Sequence, residues 1–303
     1  MRVRIRHEIT QHFEPGSRNM AAIARLTPRS CESQFIQRWT LDVDEDCCLH
    51  TQEDAFGNLC HAFTIEGPTD SLTIIAEGEV ETQDTSGIVR GTVERQPLSL
   101  YLRQTELTEP DAAIIAFAEK LSRSKDDPLA DLHALMLAVH ESVEEDTKTQ
   151  NGHTLDAASA LEKGAACAGS ITHLFTSAAR HLGLPARHVS GYYRTDDTGV
   201  LRHWAEAHVP EIGWIAFDCG QKICPTENHI RLSVGLDALA VMPLRSVGGE
   251  IEERVSIHNG RKPRCHSRSQ SQNAEELSNP RVEAPDTVDM ANARNQSQSQ
   301  QQS

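Results

Sequence analysis

Gly164-Ala165-Ala166-Cys167-Ala168-Gly169-Ser170-Ile171-Thr172-His173-Leu174-Phe175 and, further on, Arg202-His203-Trp204-Ala205-Glu206 decide how this chain folds. In the first stretch Ile171, Leu174, Phe175, Ala178, Ala179 and Leu182 recur at helical spacing, with Gly183 as a stop. The pattern predicts a helix that begins just after Cys167, with Ser170 as a candidate cap. Strands are expected near residues 187–191, 202–210 and 214–218. Cys167, His203 and Asp218 thus stand in chain order at a helix start and on neighbouring strands. A helix N-terminus favours a thiolate, because its unpaired N–H groups and dipole attract negative charge. A histidine across a cleft can pair with that thiolate and protonate a leaving amine. A carboxylate behind the histidine fixes its tautomer, and Asp218 is placed for that. Backbone N–H groups at the helix start could serve as an oxyanion hole.

Upstream, two more amphipathic helices are expected. One runs from Pro110 to Ser122, with Ile114, Phe117 and Leu121 on one face and Thr108-x-x-Asp111 as its cap; the other carries Leu132, Leu135, Met136 and Val139. The first ninety residues change period. Val3, Ile5 and His7 alternate with Arg2, Arg4 and Arg6, and short strand-like runs follow between Pro15-Gly16, Phe56-Gly57-Asn58 and Glu66-Gly67-Pro68. Regular short strands between turns predict a β-sandwich. The division expected is residues 1–90 for the β-sandwich-like domain, 91–258 for the core, and 259–303 for a Gln/Ser-rich tail too polar to order itself.

The 303 residues suit one large domain or two ordinary ones, and a formal net charge of −15 argues against nucleic acid or an anionic membrane as a partner. No run approaches a membrane span, and the opening Met1-Arg2-Val3-Arg4-Ile5-Arg6 lacks the apolar core of a signal peptide. A cytoplasmic location is expected, where the eight scattered cysteines stay reduced.

Residues from about 1 to 257 resemble the bacterial transglutaminase-like proteins that carry an N-terminal β-rich domain. The likeness rests on the opening Arg4-Ile5-Arg6-His7-Glu8, on Leu26-Thr27-Pro28-Arg29-Ser30 and on Glu53-Asp54-Ala55-Phe56-Gly57-Asn58. It continues through Leu182-Gly183-Leu184-Pro185-Ala186-Arg187, Val189-Ser190-Gly191-Tyr192, Trp204-Ala205-Glu206 and Ile223-Cys224-Pro225-Thr226. The resemblance implies an α+β fold in which a papain-like core of helices packed on an antiparallel sheet follows the β-sandwich. It implies amide acyl transfer on a peptide or protein: hydrolysis, deamidation or transamidation. Cys167 would be the nucleophile, His203 the acid/base and Asp218 the orienter, with no cofactor and no metal.

Two of these residues are out of register with the family. Its nucleophile segment usually reads Gly-Val-Cys-Gln-Asp-x-x-His; aligned on His173, the Cys slot falls on Ala168 and Cys167 is one residue early. Its histidine segment usually reads His-Ala-Trp-Ala-Glu; aligned on Trp204-Ala205-Glu206, the His slot falls on Arg202 and His203 is one residue late. Asp218 alone is in place, although Cys219 follows it where the family usually has Pro. On a strand, neighbouring side chains face opposite ways, and on a helix one residue is about 100° of rotation. The expectation is a protein that keeps the fold, is weakly active or inactive, and carries Arg202 as a cationic plug or anion contact. The alternative is a working thiol enzyme in which a bulge and an extra residue restore the pair.

Other candidates carry bland readings too. Cys219-x4-Cys224-x4-His229 lacks paired metal-ligand spacing. His173, His188 and His208 suit structural hydrogen bonds. Trp204 and Trp214 suit either a cleft or a core. Glu206 could meet a substrate amine or pair with a nearby Arg, and the acidic run from Glu141 to Asp146 reads as a solvated helix end.

Overall fold

The computed structural model describes residues 1–121, 127–147, 154–195 and 198–260; the expected tail from residue 261 lies outside the described residues. The alternating opening becomes β1 (Arg2–His12), which buries Val3, Ile5, His7, Ile9 and Gln11 and turns its arginines outward. β2 (Met20–Thr27), β3 (Gln34–Val43), β4 (His50–Glu53), β5 (Leu59–Ile65), β6 (Ser71–Thr82) and β7 (Ile88–Val89) follow. A short 3-10 helix, Leu98–Leu102, leads into α1 (Ala112–Glu119) and α2 (Pro128–Ser142). Asp111 and Asp127 cap these two helices by accepting the N–H groups of Ile114 and Ala130. After β8 (Glu144–Glu145) comes α3 (Ala157–Lys163), a seven-residue helix too short to show in the periodicity, and then β9 (Ala165–Ala166) and α4 (Ala168–His181). The chain closes with β10 (Ala186–Arg194), β11 (Gly199–Val209), β12 (Gly213–Phe217), β13 (His229–Gly235), β14 (Leu244–Ser246) and β15 (Glu250–Asn259).

Two four-stranded antiparallel sheets, ordered β15-β1-β6-β3 and β14-β2-β5-β4, share one apolar core and form the expected sandwich. Tyr192, Ile230 and Leu232 of the neighbouring sheet enter that core as well. The second layer system is the five-stranded sheet β13-β10-β11-β12-β7, with the helices packed on one face. α4 is its centre and is buried from Gly169 to Arg180. The expected α+β architecture is therefore present. The sequence boundaries, however, do not separate the two sheet systems. β7 lies before residue 90 yet pairs with β12, and β14 and β15 lie within or just past 91–258 yet pair with β2 and β1. Such pairing is set by partners more than a hundred residues away, which a local pattern does not reveal.

β13 is an edge strand of the five-stranded sheet, and two amide side chains from the sandwich close that edge. Gln34 Nε2 donates to Arg231 O at 2.8 Å while its Oε1 accepts from Arg231 N at 2.7 Å. Asn58 does the same for Val234, at 2.7 and 2.8 Å. Each amide takes the donor and the acceptor that a neighbouring strand would take at that position.

Candidate functional site

Cys167 is the N-cap of α4, with extended backbone, and its half-buried Sγ lies 3.4 Å from Ser170 Oγ. Ser170 is not the cap. It sits within the first turn and accepts the Leu155 amide at 2.7 Å, pinning the segment before α3 to the helix. Immediately before Cys167, β9 runs parallel to β8 and brings Glu145 opposite Ala166. The Glu144 and Asp146 amides donate to Gly164 O and Ala166 O, each at 2.9 Å.

β11 presents two faces. Ala205, Ala207 and Val209 pack under the helices, whereas Trp204 packs on the far side with Val189, Ala216 and Val234. Arg202 shares the face of Trp204 and Glu206, and there it meets Asp218. The Arg202 guanidinium donates through Nε to Asp218 Oδ2 and through Nη2 to Oδ1 at 2.7 Å. Glu145 closes the other side, accepting from Nη1 at 2.7 Å and from Nη2 at 2.9 Å. His229 Nε2 donates to Asp218 Oδ2 at 3.1 Å, while its Nδ1 accepts the Thr226 amide. Burial pushes the Asp218 carboxyl up, but hydrogen bonds and charge from Arg202, with His229, hold it below the usual carboxylate range. Burial opposes the Arg202 charge, and Asp218 and Glu145 more than compensate. The Arg202 guanidinium is thus engaged on two sides by carboxylates of the chain itself.

His203 turns to the helix face, as a one-residue slip on a strand requires. Its Nδ1 lies 2.9 Å from His188 Nε2, and the His188 ring lies 5.0 Å from that of His173. A Cβ placed at Gly169 would stand 3.7 Å from His203 Cδ2, so the ring flanks the first turn of α4. His173 donates from Nδ1 to Leu155 O and accepts the Ala238 amide at Nε2. Burial, reinforced by its neighbours His173 and Arg202, lowers the His203 pKa to about 4. Burial likewise holds His188 well below 6.5 and lowers His173. No hydrogen bond joins any two of the three residues expected to act together. Cys167 meets Ser170, His203 meets His188, and Asp218 meets Arg202 and His229.

The histidine cluster gives a pH prediction. Above pH 6.5 folded and unfolded chains both hold these rings neutral. Below it the unfolded chain takes up protons that the native one refuses, so stability falls from pH 6.5 toward 4. The His203 share is about 2–3 kcal/mol. Urea midpoints measured from pH 7 to 4.5 should drop, and His203→Gln should flatten the slope. An unchanged slope would mean that His203 is as easily protonated folded as unfolded.

The remaining candidates resolve into structure. Glu206 pairs with Arg187 at 2.7 Å and Arg231 at 2.8 Å. Trp214 lies under the Arg187 guanidinium, 3.8 Å from ring centroid to Cζ, and Trp204 is core. Among the described residues no group of three or more His, Cys, Asp or Glu side chains could hold a metal. Glu145, read from sequence as solvated, is the residue that pattern analysis missed. A cavity of about 30 Å³, lined by Trp204, Glu206, His229 and Arg231 among others, has room for about one water.

The model of the transglutaminase-like superfamily matches residues 115–219, and that of the bacterial transglutaminase-like N-terminal region matches residues 3–81. An uncharacterized protein of Mycobacterium leprae is 24% identical over 265 residues, covering 81% of this chain and 92% of that one. The crystal structure of a putative cysteine protease from Cytophaga hutchinsonii superposes with a TM-score of 0.71 at 16% identity, covering 86% of this chain and 91% of the other. At that identity the likeness carries the fold alone. No described helix is long and apolar enough to cross a membrane.

Proposed function

We propose that this chain, which belongs to the transglutaminase-like superfamily and carries its bacterial N-terminal region, is a weakly active or inactive member that binds a peptide or protein in place of turning it over. The observation that carries the reading is the occupancy of Asp218. A thiol enzyme of this kind needs that carboxylate free to orient a histidine. Here Arg202 donates to both its oxygens, the histidine that Asp218 holds is His229, and His203 faces the opposite side of the strand. His203 also makes a poor partner for a thiolate. A base with a pKa near 4 is neutral at physiological pH and draws a thiol proton only weakly. The same proposal includes a cytoplasmic setting and neither nucleic acid nor membrane as partner, supported by the acidic balance and the free thiols of the described cysteines.

One observation favours a second reading, an active Cys167–His203–Asp218 enzyme: the His203 ring stands beside the first turn of α4. Alkylation of the native protein at about pH 6, resolved by mass spectrometry, separates the two, because an ordinary thiol of pKa ≈ 8.5 is almost wholly protonated there. Cys167 should react no faster than the exposed Cys48, and His203→Ala should leave its rate unchanged. Glutamine-containing peptides should release no ammonia above background. Rapid labelling of Cys167 that disappears in His203→Ala would overturn the inactive reading.

A further inference from the structure

The strand pair that delivers Cys167 to its place is very short. β8 and β9 have two residues each, and a ladder of that length is marginal without help. The help comes from a side chain. Glu145 pairs with Ala166 through the backbone and reaches across to both Nη atoms of Arg202, at 2.7 and 2.9 Å. Arg202 is at the same time held by both oxygens of Asp218 at the end of β12. Charge-assisted two-pronged contacts of this kind fix geometry as well as adding energy.

A third position fits the same arrangement. A Cβ at Gly220 would overlap Glu145 Oε2 and stand 2.9 Å from its Cδ and 3.0 Å from Arg202 Nη2. A side chain at 220 would displace the end of Glu145 from its place on Arg202. Residues 145, 202 and 220 come from three separate segments and suit one another.

We propose that Glu145, Arg202, Asp218 and Gly220 form an ionic clasp that fastens the β8–β9 segment, and with it the start of α4, to the five-stranded sheet. The proposal rests on the reading that Arg202 stands where a base would act. It adds that the position has acquired a mechanical task, and it brings in Glu145 and Gly220, which no part of the thiol chemistry requires.

Hydrogen exchange on the full chain tests it, read by mass spectrometry on peptides covering residues 143–147 and 164–168. Glu145→Gln and Gly220→Ala should each speed exchange there about tenfold, the size expected for losing a hydrogen bond to a charged group. Residues 187–191 in β10 should exchange as before. Because both substitutions break one contact, the double variant should exchange no faster than the faster single variant. Unchanged exchange in both single variants, or an acceleration in the double variant equal to the product of the two, would overturn the clasp. Either result leaves the inactive reading standing, since that fails on thiol labelling and ammonia release.

Discussion

Glu206→Ala should destabilise the protein by about 3–5 kcal/mol, the cost of stripping one partner from a buried ion pair. Glu206 is 0% exposed and lies between two cations. Its Oε2 accepts from Arg187 Nε at 2.7 Å and its Oε1 from Arg231 Nε at 2.8 Å. Arg187, 1% exposed, would be left with the half-exposed Glu94 and the face of Trp214. A buried guanidinium left with Glu94 on Nη1 alone has lost the water that solvated its Nε and found nothing equivalent there. At 2–4 °C per kcal/mol for a domain of this class, the melting temperature should fall by roughly 10 °C. Glu206→Gln should cost less, because it keeps the shape and one acceptor while losing the charge. The pH dependence separates charge from packing. Burial pushes the Glu206 carboxyl up, but Arg231 and Arg187 hold it below the usual range. Its contribution is therefore present above the ordinary carboxylate pKa and is lost as pH falls through the lower folded value. The alanine variant should lose that component of acid sensitivity. A cost under about 1 kcal/mol would mean that the two arginines find other partners, and Glu206 would again be free to meet a substrate.

The position of Glu206 shows how far sequence reached. Trp204-Ala205-Glu206 fixed the strand register, and the register alone decides that Arg202 and Asp218 share a face while His203 does not. The helix after Cys167 and the sandwich alternation were also legible, because each is written within a few residues, whereas the cap of α1 is Asp111 and not Thr108. What was not legible depends on contacts across the chain. Whether Glu206 meets an amine or an arginine is decided by Arg231, on another strand. Glu145 sits in an acidic run that reads as solvated, and only the pairing of β8 with β9 carries it inward to Arg202. The return of β14 and β15 to the sandwich likewise has no local signature.

The largest functional effect should come from moving the chemistry back into the family register. In a Cys167→Ala background, Ala168→Cys together with Arg202→His should yield a thiol at 168 that alkylates at pH 6 about tenfold faster than Cys167 does in the native chain. The size follows from two opposing factors. An ordinary thiol is roughly 0.3% thiolate at pH 6, whereas one paired with an imidazolium and having a pKa near 5 is about 90% thiolate, a gain of about 300-fold. The lower pKa also weakens the nucleophile, by about 30-fold for a shift of roughly 3.5 with a Brønsted slope of 0.4–0.5. Asp218 is already oriented toward position 202, and Glu145 adds a second carboxylate beside it, so an imidazole placed there would be held charged. Arg202→His alone separates the two displacements. If only the base is missing, that single change should activate Cys167. If both slots are displaced, Cys167 should stay unreactive, because one residue at a helix start turns a side chain by about 100°. The second outcome is expected, with reactivity appearing only when both positions are restored. Equal labelling of the 168 thiol and native Cys167 would show that restoring the two slots does not activate a thiol and remove the register argument.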